Sequence, residues 1–113
     1  MTTLGAAPAI WSGLLNTYKI HTVAPMDITF DPAKQAANLK KHGIDLTAVE
    51  PVFYDQNALT IEDRDHPEER FKTLGMDALG RLLVVAYHYT EDERLRVISA
   101  RLAEPHERRA YGR

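Results

Sequence analysis

Two adjacent apolar stretches in the C-terminal half of the chain constrain its fold most strongly. Residues 81–90 read RLLVVAYHYT, which is apolar on both faces and predicts a central β-strand. Residues 94–101, RLRVISAR, alternate between polar and apolar side chains, as a strand with one buried face does. The acidic residues between them form a turn of hairpin length. The sequence therefore predicts an antiparallel strand pair at the centre of a sheet.

Two helices are predicted before the strands. Asp31 supplies a helix N-cap and Pro32 suits the first helical position. Gly43 follows a run of strong helix formers and can end this helix in the left-handed conformation. Asp45 can cap a second helix, although Pro51 falls inside it and would delete one backbone hydrogen bond.

The remaining elements are short. Strands are predicted at residues 27–30, 58–62 and 70–75, and a final short helix follows Glu104-Pro105. Connections of hairpin length favour antiparallel pairing. The predicted fold class is therefore α+β: two N-terminal helices pack on one face of a small antiparallel sheet of about four strands, with a short C-terminal helix.

The composition fits one small domain with a compact core. Of the 113 residues, 44% are apolar and 27% are charged. Residues 1–25 contain one lysine and no acid, and a second methionine, Met26, follows them. We expect residues 1–25 to be an N-terminal extension, disordered or from a misassigned start, and residues 26–113 to form the domain. The alternative is an extra strand or helix that packs on the domain.

Several functional classes are excluded by the residue types present. The chain has no cysteine, which rules out disulfides, thiolate nucleophiles and iron–sulfur clusters. The longest apolar stretch, residues 6–15, is too short to span a bilayer, and no basic residue precedes it as in a signal peptide. A cytoplasmic protein that does not enter a membrane is therefore expected. Without an HExxH motif, a compact metal-ligand cluster or a glycine-rich phosphate loop, we expect neither a metal nor a cofactor.

Charge is unevenly distributed along the chain, although the net charge is only -2. Residues 55–69 carry six acids and one arginine, whereas residues 94–113 carry six arginines and two acids. A folded domain with this asymmetry presents an acidic face and a basic face. The basic segment indicates a site for a polyanion, and solvated surface charge is the alternative interpretation.

Three segments stand in consistent order along the chain: FDPAKQAANLKKHGID at 30–45, VFYDQNALTIEDRDHPEERFKTLGMDALGRLLVVAYHY at 52–89 and RLRVISARLAEPHERRAYGR at 94–113. Together they resemble the BrnT family of type II toxins, within the RelE-like ribonuclease toxins. The corresponding segments of that family are a helix ending in Lys-His-Gly, an acidic loop followed by Glu-Arg-aromatic, and an Arg-hydrophobic-Ile-Ser-Ala-Arg strand. The resemblance extends from Met26 to Tyr111. Residues 1–25 and Pro51 depart from the family pattern.

The resemblance implies a toxin with the RelE-type microbial ribonuclease fold, which cleaves RNA without a metal, inhibits translation and arrests growth. A BrnA-like antitoxin with a ribbon-helix-helix region would neutralise it, and the complex would contact promoter DNA only through the antitoxin. We hypothesise that the acidic loop at 62–69 and the first two helices bind this antitoxin. The alternative function is a non-catalytic RNA- or protein-binding module on the same fold.

Metal-independent RNA cleavage needs a base, an acid and cations that stabilise the charged phosphorane. The candidate catalytic residues are Arg70, His88, Arg96, Arg101 and Tyr111. The candidate RNA-binding residues are Lys41, Lys72, Arg108 and Arg109.

Strand alternation and the resemblance supply the arguments for several of these residues. Alternation puts Arg70 and Lys72 on one strand face. The resemblance implies phosphate contacts for Arg96 and Arg101, although strict alternation puts these two on opposite faces. For Tyr111 we expect base stacking, or proton transfer after the arginines lower its pKa.

Each candidate also has a structural alternative. Arg70 and Lys72 could pair with nearby acids, and His88 could be a half-buried histidine hydrogen-bonded within the sheet. Tyr111 could be a frayed terminal aromatic, and Lys41 could serve as a helix-end charge. Arg108 and Arg109 could lie on a solvated helix face. No role is assigned to His66 and His106, which stand in polar loops.

Overall fold

The computed structural model describes residues 27–112, so the predicted N-terminal extension lies outside the described residues. This part of the chain forms strand β1 (Ile28–Phe30), helix α1 (Pro32–His42), two 3₁₀ segments (Leu46–Ala48 and Glu50–Tyr54), strands β2 (Leu59–Asp63), β3 (Arg70–Met76), β4 (Leu82–Tyr89) and β5 (Leu95–Leu102), and helix α2 (Pro105–Tyr111). None of its helices combines the length and the apolar character that a membrane crossing requires.

The strands form one mixed sheet in the order β1-β5-β4-β3-β2. The four long neighbours pair antiparallel, as predicted, but β1 joins the edge beside β5 in parallel. The expected sheet of about four antiparallel strands is therefore wrong in count and in type. The parallel pairing begins where the Leu95 N–H donates to the Asp27 carbonyl at 3.0 Å. It ends after three residues because the chain turns into α1.

An extra residue interrupts the pairing of the two central strands. Tyr87 pairs with Val97 and Ala86 pairs with Ser99, which leaves Ile98 as the additional residue of a β-bulge. The bulge reverses the alternation in the second half of β5. Arg96 and Arg101 therefore lie on the same face of the sheet, and the prediction of opposite faces is wrong because strict alternation does not allow for a bulge.

Apolar clusters lie on both faces of the sheet, so the prediction that helices cover only one face is wrong. The larger cluster joins the 3₁₀ segments to β3, β4 and β5 through Ile44, Leu46, Val49, Val52, Phe71, Leu83, Val85, Tyr87, Leu95, Val97 and Ala100. On the opposite face, α2 covers a smaller cluster formed by Ile61, Leu74, Leu82, Val84 and Ala110. Because α2 is short, the rest of that face stays open.

The segment predicted as a second helix forms two 3₁₀ segments instead. Asp45 caps the first through a 2.9 Å bond from the Thr47 N–H, as the sequence predicts. Pro51 lies in the first turn of the second segment, where its missing N–H is tolerated but where an α-helix cannot continue through it. Leu46 and Val49 are nevertheless fully buried, so this segment packs on the core although its helix type differs from the prediction.

A polar contact anchors α1 to the sheet. Asn38, the one buried residue of this helix, donates to the carbonyls of Ile44 and Ala100, at 2.9 Å each. Its side-chain oxygen accepts the Ala100 N–H at 3.0 Å. The amide thus pairs with the edge of β5 beyond the end of β1, where both backbone groups of Ala100 would otherwise lack a strand partner. This contact fixes the C-terminal end of α1 beside the open face.

The substitution Asn38→Asp tests this anchor. It preserves the size of the side chain but removes both amide donors and sets a carboxylate against two carbonyl oxygens. We expect the free energy of unfolding at neutral pH, measured by urea denaturation, to fall by about 3 kcal/mol. Lys34→Ala, an exposed change on the same helix, is the control. An aspartate variant as stable as the wild type would contradict the proposed anchor.

Candidate functional site

A cleft of about 320 Å³ occupies the open face of the sheet, next to α2. Strands β3, β4 and β5 form its floor, and its walls come from the C-terminal end of α1 and from the loop between β2 and β3. The lining residues are Lys41, His42, Asp63, His66, Arg70, Lys72, Val84, Ala86, Ile98, Ser99 and Arg101. Side chains predicted from separate stretches of sequence thus meet in one concave site.

Arg70 enters the cleft from the start of β3. One terminal nitrogen donates to Glu68 Oε2 at 2.7 Å, and the side chain is 23% exposed. Its Nε is buried and has no hydrogen-bond partner among the described residues. A buried donor without a partner costs about 1–3 kcal/mol, so the Nε group of Arg70 is an unfavourable feature of this part of the structure.

Arg101 is held in place by a carboxylate from α2. Both terminal nitrogens bind Glu107 at 2.9 Å, one to each oxygen. Glu107 also accepts the Glu104 N–H at 2.7 Å, which secures the first turn of the helix. Burial opposes ionisation of Glu107, but these hydrogen bonds outweigh it and its pKa lies below the ordinary value. The same contact raises the pKa of Arg101, so the guanidinium is a fixed cation.

Asp63 organises the far wall of the cleft. This carboxylate ends β2 with only 5% of its side chain exposed. Its Oδ2 lies 3.5 Å from His66 Nε2 and 4.0 Å from Lys72 Nζ, while its Oδ1 accepts the Asp65 N–H at 3.1 Å. One buried acid therefore holds an imidazole and an ammonium group near each other.

Lys41 and His42 form the near wall, at the end of the helix that Asn38 anchors. Lys41 is exposed and His42 is half-buried. The His42 imidazole makes no hydrogen bond or ion pair to residues 27–112. Gly43 then ends the helix with φ +73°, a left-handed conformation that confirms the predicted stop.

Four of the predicted site residues line the cleft: Lys41, Arg70, Lys72 and Arg101. His88 and Arg96 lie outside its lining, although they form a cross-strand pair on the same face. Arg96 Nε donates to Thr29 Oγ1 at 3.0 Å, and His88 Nδ1 lies 3.2 Å from the Tyr89 carbonyl oxygen. Both side chains are thus engaged next to the cleft rather than within it.

The predicted residues of α2 also lie outside the cleft lining. Arg108 and Arg109 are exposed on this helix. Tyr111 packs against the smaller apolar cluster, and its hydroxyl donates to Asp55. Burial, followed by the hydrogen bond and the charge of Asp55, raises the pKa of Tyr111 to about 12. The expectation that arginines lower this pKa is therefore wrong, because the hydroxyl lies against an acid.

Three important residues were missed from the sequence: Asp63, His66 and Glu107. Asp63 and His66 stand three residues apart in a segment whose sequence indicates a solvated acidic loop. Only the pairing of β2 with β3 places Asp63 beside Arg70. Glu107 could have been found, because an acid three residues after the helix N-cap is a capping signal. Its contact with Arg101 depends on the bulge, which places Arg101 on the sheet face next to α2 and which the sequence does not show.

One group within residues 27–112 has the geometry to hold a metal ion. The ligand atoms of Glu104, His106 and Glu107 all lie within 4.8 Å of one another. The spacing argument from the sequence missed this group. Both oxygens of Glu107 already bind Arg101, so a metal here would compete with that contact.

Comparison with known proteins gives one family and a related structure. The family model described as "Ribonuclease toxin, BrnT, of type II toxin-antitoxin system" matches residues 30–107, which include all the lining residues and Glu107. The chain is similar to the Brucella abortus ribonuclease toxin BrnT, whose crystal structure is known at 1.1 Å. The identity is 25% and the TM-score 0.54, over 70% of this chain and 97% of that chain. The search of curated proteins gave no match.

The Glu107 contact predicts a specific dependence of stability on pH. Its folded-state pKa lies below the ordinary value of 4.5, so the folded protein binds fewer protons than the unfolded chain between these two values. The contribution is complete above about pH 4.5 and is lost as the pH falls through the folded-state pKa. We expect Glu107→Gln to cost about 1–2 kcal/mol at pH 7.

Urea denaturation between pH 7 and pH 3 measures this effect. The stability difference between wild type and Glu107→Gln should shrink as the pH falls. Glu91→Gln, an exposed change in the turn between β4 and β5, should show no such trend. A difference for Glu107→Gln that is independent of pH would mean that the carboxylate contributes only through packing.

Proposed function

Because the chain belongs to the BrnT family of ribonuclease toxins of type II toxin–antitoxin systems, we propose that its cleft cleaves RNA and thereby inhibits translation. The enzyme is an endoribonuclease that uses no metal, on the RelE-type fold that the resemblance implies. Its RNA substrate is in the cytoplasm, where cleavage arrests growth.

The convergence of three cations in the cleft carries this proposal. Arg70 and Lys72 come from β3 and Arg101 from β5, and all face the same cavity. Guanidinium groups remain charged and bind phosphate oxygens through paired N–H donors. Such an arrangement suits a scissile phosphodiester better than a neutral ligand.

The proposed reaction is an attack by the ribose 2′-oxygen on the adjacent phosphorus. The new 2′-O–P bond forms while the bond from phosphorus to the 5′-oxygen breaks, which leaves a 2′,3′-cyclic phosphate and a 5′-hydroxyl. The three cations would stabilise the extra negative charge on the phosphorane oxygens. One group must take the 2′-hydroxyl proton and another must protonate the 5′-oxygen.

A longer basic surface supports binding of RNA rather than of a single nucleotide. Arg96 and His88 continue the same sheet face beyond the cleft, and Lys41 edges it. We assign these groups to the flanking nucleotides. Arg108 and Arg109 are exposed on α2 and would contribute only long-range attraction. Tyr111 takes no part in the chemistry, because its hydroxyl is bound to Asp55.

The type II family implies an antitoxin partner. We propose a BrnA-like protein with a ribbon-helix-helix region, through which the complex contacts promoter DNA. The acidic loop at 62–69 is its proposed contact, since Asp65, Glu68 and Glu69 are all exposed there. Reversing the charge of Glu69 to lysine should weaken the purified complex, and an unchanged dissociation constant would remove this surface from consideration.

Cleavage of a single-stranded RNA oligonucleotide by the purified full-length chain, in the presence of a chelator, tests the activity. Arg70→Ala and Lys72→Ala should each lower the rate by roughly 10²–10³-fold, because each removes stabilisation of the transition state. Lys34→Ala removes one charge outside the cleft and should leave the rate unchanged.

Two outcomes would count against the proposal. Binding of RNA without cleavage would favour the alternative, a non-catalytic binding module on this fold. Equal cleavage rates for all three variants would indicate that the active site lies outside the cleft.

A further inference from the structure

We infer that His66 and His42 are the proton-transfer pair of the cleft, with His66 as the base that activates the 2′-hydroxyl and His42 as the acid that protonates the leaving 5′-oxygen. This inference rests on the proposed ribonuclease function and assigns the two roles that the cations leave open. Both imidazoles line the cleft, His66 on the wall between β2 and β3 and His42 on the wall at the end of α1.

The surroundings of His66 suit a base. Its Nε2 lies 3.5 Å from the buried Asp63 carboxylate, and 40% of the side chain is exposed to the cleft and solvent. A carboxylate in this position orients the ring and stabilises the imidazolium that forms when the base takes a proton. The charged groups that face His66 are Asp63 and Glu68 with Arg70 and Lys72, so the acids can compensate the charge that develops.

His42 has the complementary surroundings. Its imidazole makes no hydrogen bond or ion pair within the described part of the chain, and it stands next to the exposed Lys41. Across the cleft floor, the charged group on β5 is Arg101. No carboxylate lies against the imidazole to retain its proton, which suits a group that must give the proton away. The Asn38 contact fixes the helix end on which His42 sits.

Other proton carriers on this side of the molecule are already engaged. His88 lies outside the cleft lining, next to the Tyr89 carbonyl. The Tyr111 hydroxyl donates to Asp55, and that acid and burial raise the pKa of Tyr111 to about 12. Glu107 binds Arg101 with both oxygens. Imidazole is moreover the side chain that exchanges protons most readily near neutral pH.

The proton balance of the step is complete with these two groups. Neutral His66 accepts the 2′-hydroxyl proton as the 2′-oxygen bonds to phosphorus. Protonated His42 donates to the 5′-oxygen as its bond to phosphorus breaks. The products are a 2′,3′-cyclic phosphate and a 5′-hydroxyl, with His66 protonated and His42 neutral. Proton exchange with water restores both histidines for the next turnover.

A substrate with sulfur in place of the bridging 5′-oxygen separates the two roles. A thiolate leaves without being protonated, because thiols are much stronger acids than alcohols. On ordinary RNA, His42→Ala and His66→Ala should each lower the rate of the full-length chain by about 10²-fold or more. On the 5′-thio RNA, His42→Ala should recover to within about tenfold of the wild type, whereas His66→Ala should remain slow.

Controls separate this chemistry from loss of folding or binding. Affinity for an RNA with a 2′-O-methyl group at the cleavage site should be unchanged in both variants. Lys34→Ala, an exposed change outside the cleft lining, should behave as wild type on both substrates. The wild-type rate should follow a bell-shaped pH profile, and each variant should lose one limb of it.

The outcomes distinguish this inference from the proposed function. If neither histidine variant slows cleavage while Arg70→Ala and Lys72→Ala do, the ribonuclease function stands and the histidine assignment is overturned. If the 5′-thio RNA restores the cleavage rate of His66→Ala instead of His42→Ala, or restores the rate of neither variant, the histidine assignment is also overturned. A wild type that cleaves neither RNA contradicts the proposed function itself, and the assignment falls with it.

Discussion

The extra residue in β5 is the constraint on which both faces of the sheet depend. Ile98 has no partner on β4, so Val97 and Ala100 can both face the larger apolar cluster although they stand three positions apart. The same reversal puts Arg96 and Arg101 together on the opposite face. A regular strand would have buried one of these arginines or exposed part of the core. The bulge therefore allows one strand to complete the hydrophobic core and to supply the cleft.

Acidic side chains hold the cations of the cleft in place, so a chain of net charge -2 gathers Arg70, Lys72 and Arg101 in one cavity. Glu107 fixes Arg101, Glu68 binds one nitrogen of Arg70, and Asp63 lies near Lys72. Asp63 is itself part of the cleft lining, whereas Glu68 and Glu107 lie outside it. These contacts restrict the side-chain freedom of the cations in the folded protein.

The sequence predicted much of the fold, and its errors have physical causes. The strong strands, the caps at Asp31 and Gly43 and the antiparallel hairpins were predicted correctly, because short-range chemistry decides them. The second helix was not, because its apolar spacing satisfies 3₁₀ and α geometry alike and Pro51 decides between them. The parallel pairing of β1 was also missed, since nothing local specifies a partner 67 residues away.

The sequence by itself showed an excess of arginine over acid near the C-terminus, the absence of thiols, and segments characteristic of one toxin family. It also identified Arg70 and Lys72 as candidates from their residue type and strand position, and Arg101 from the family resemblance. Only the tertiary structure decided which candidates share a cleft, why His66 joins them and why Tyr111 does not. The physical reason is that residue type sets what a side chain can bind, whereas strand register, the bulge and the docking of α1 set what it can reach.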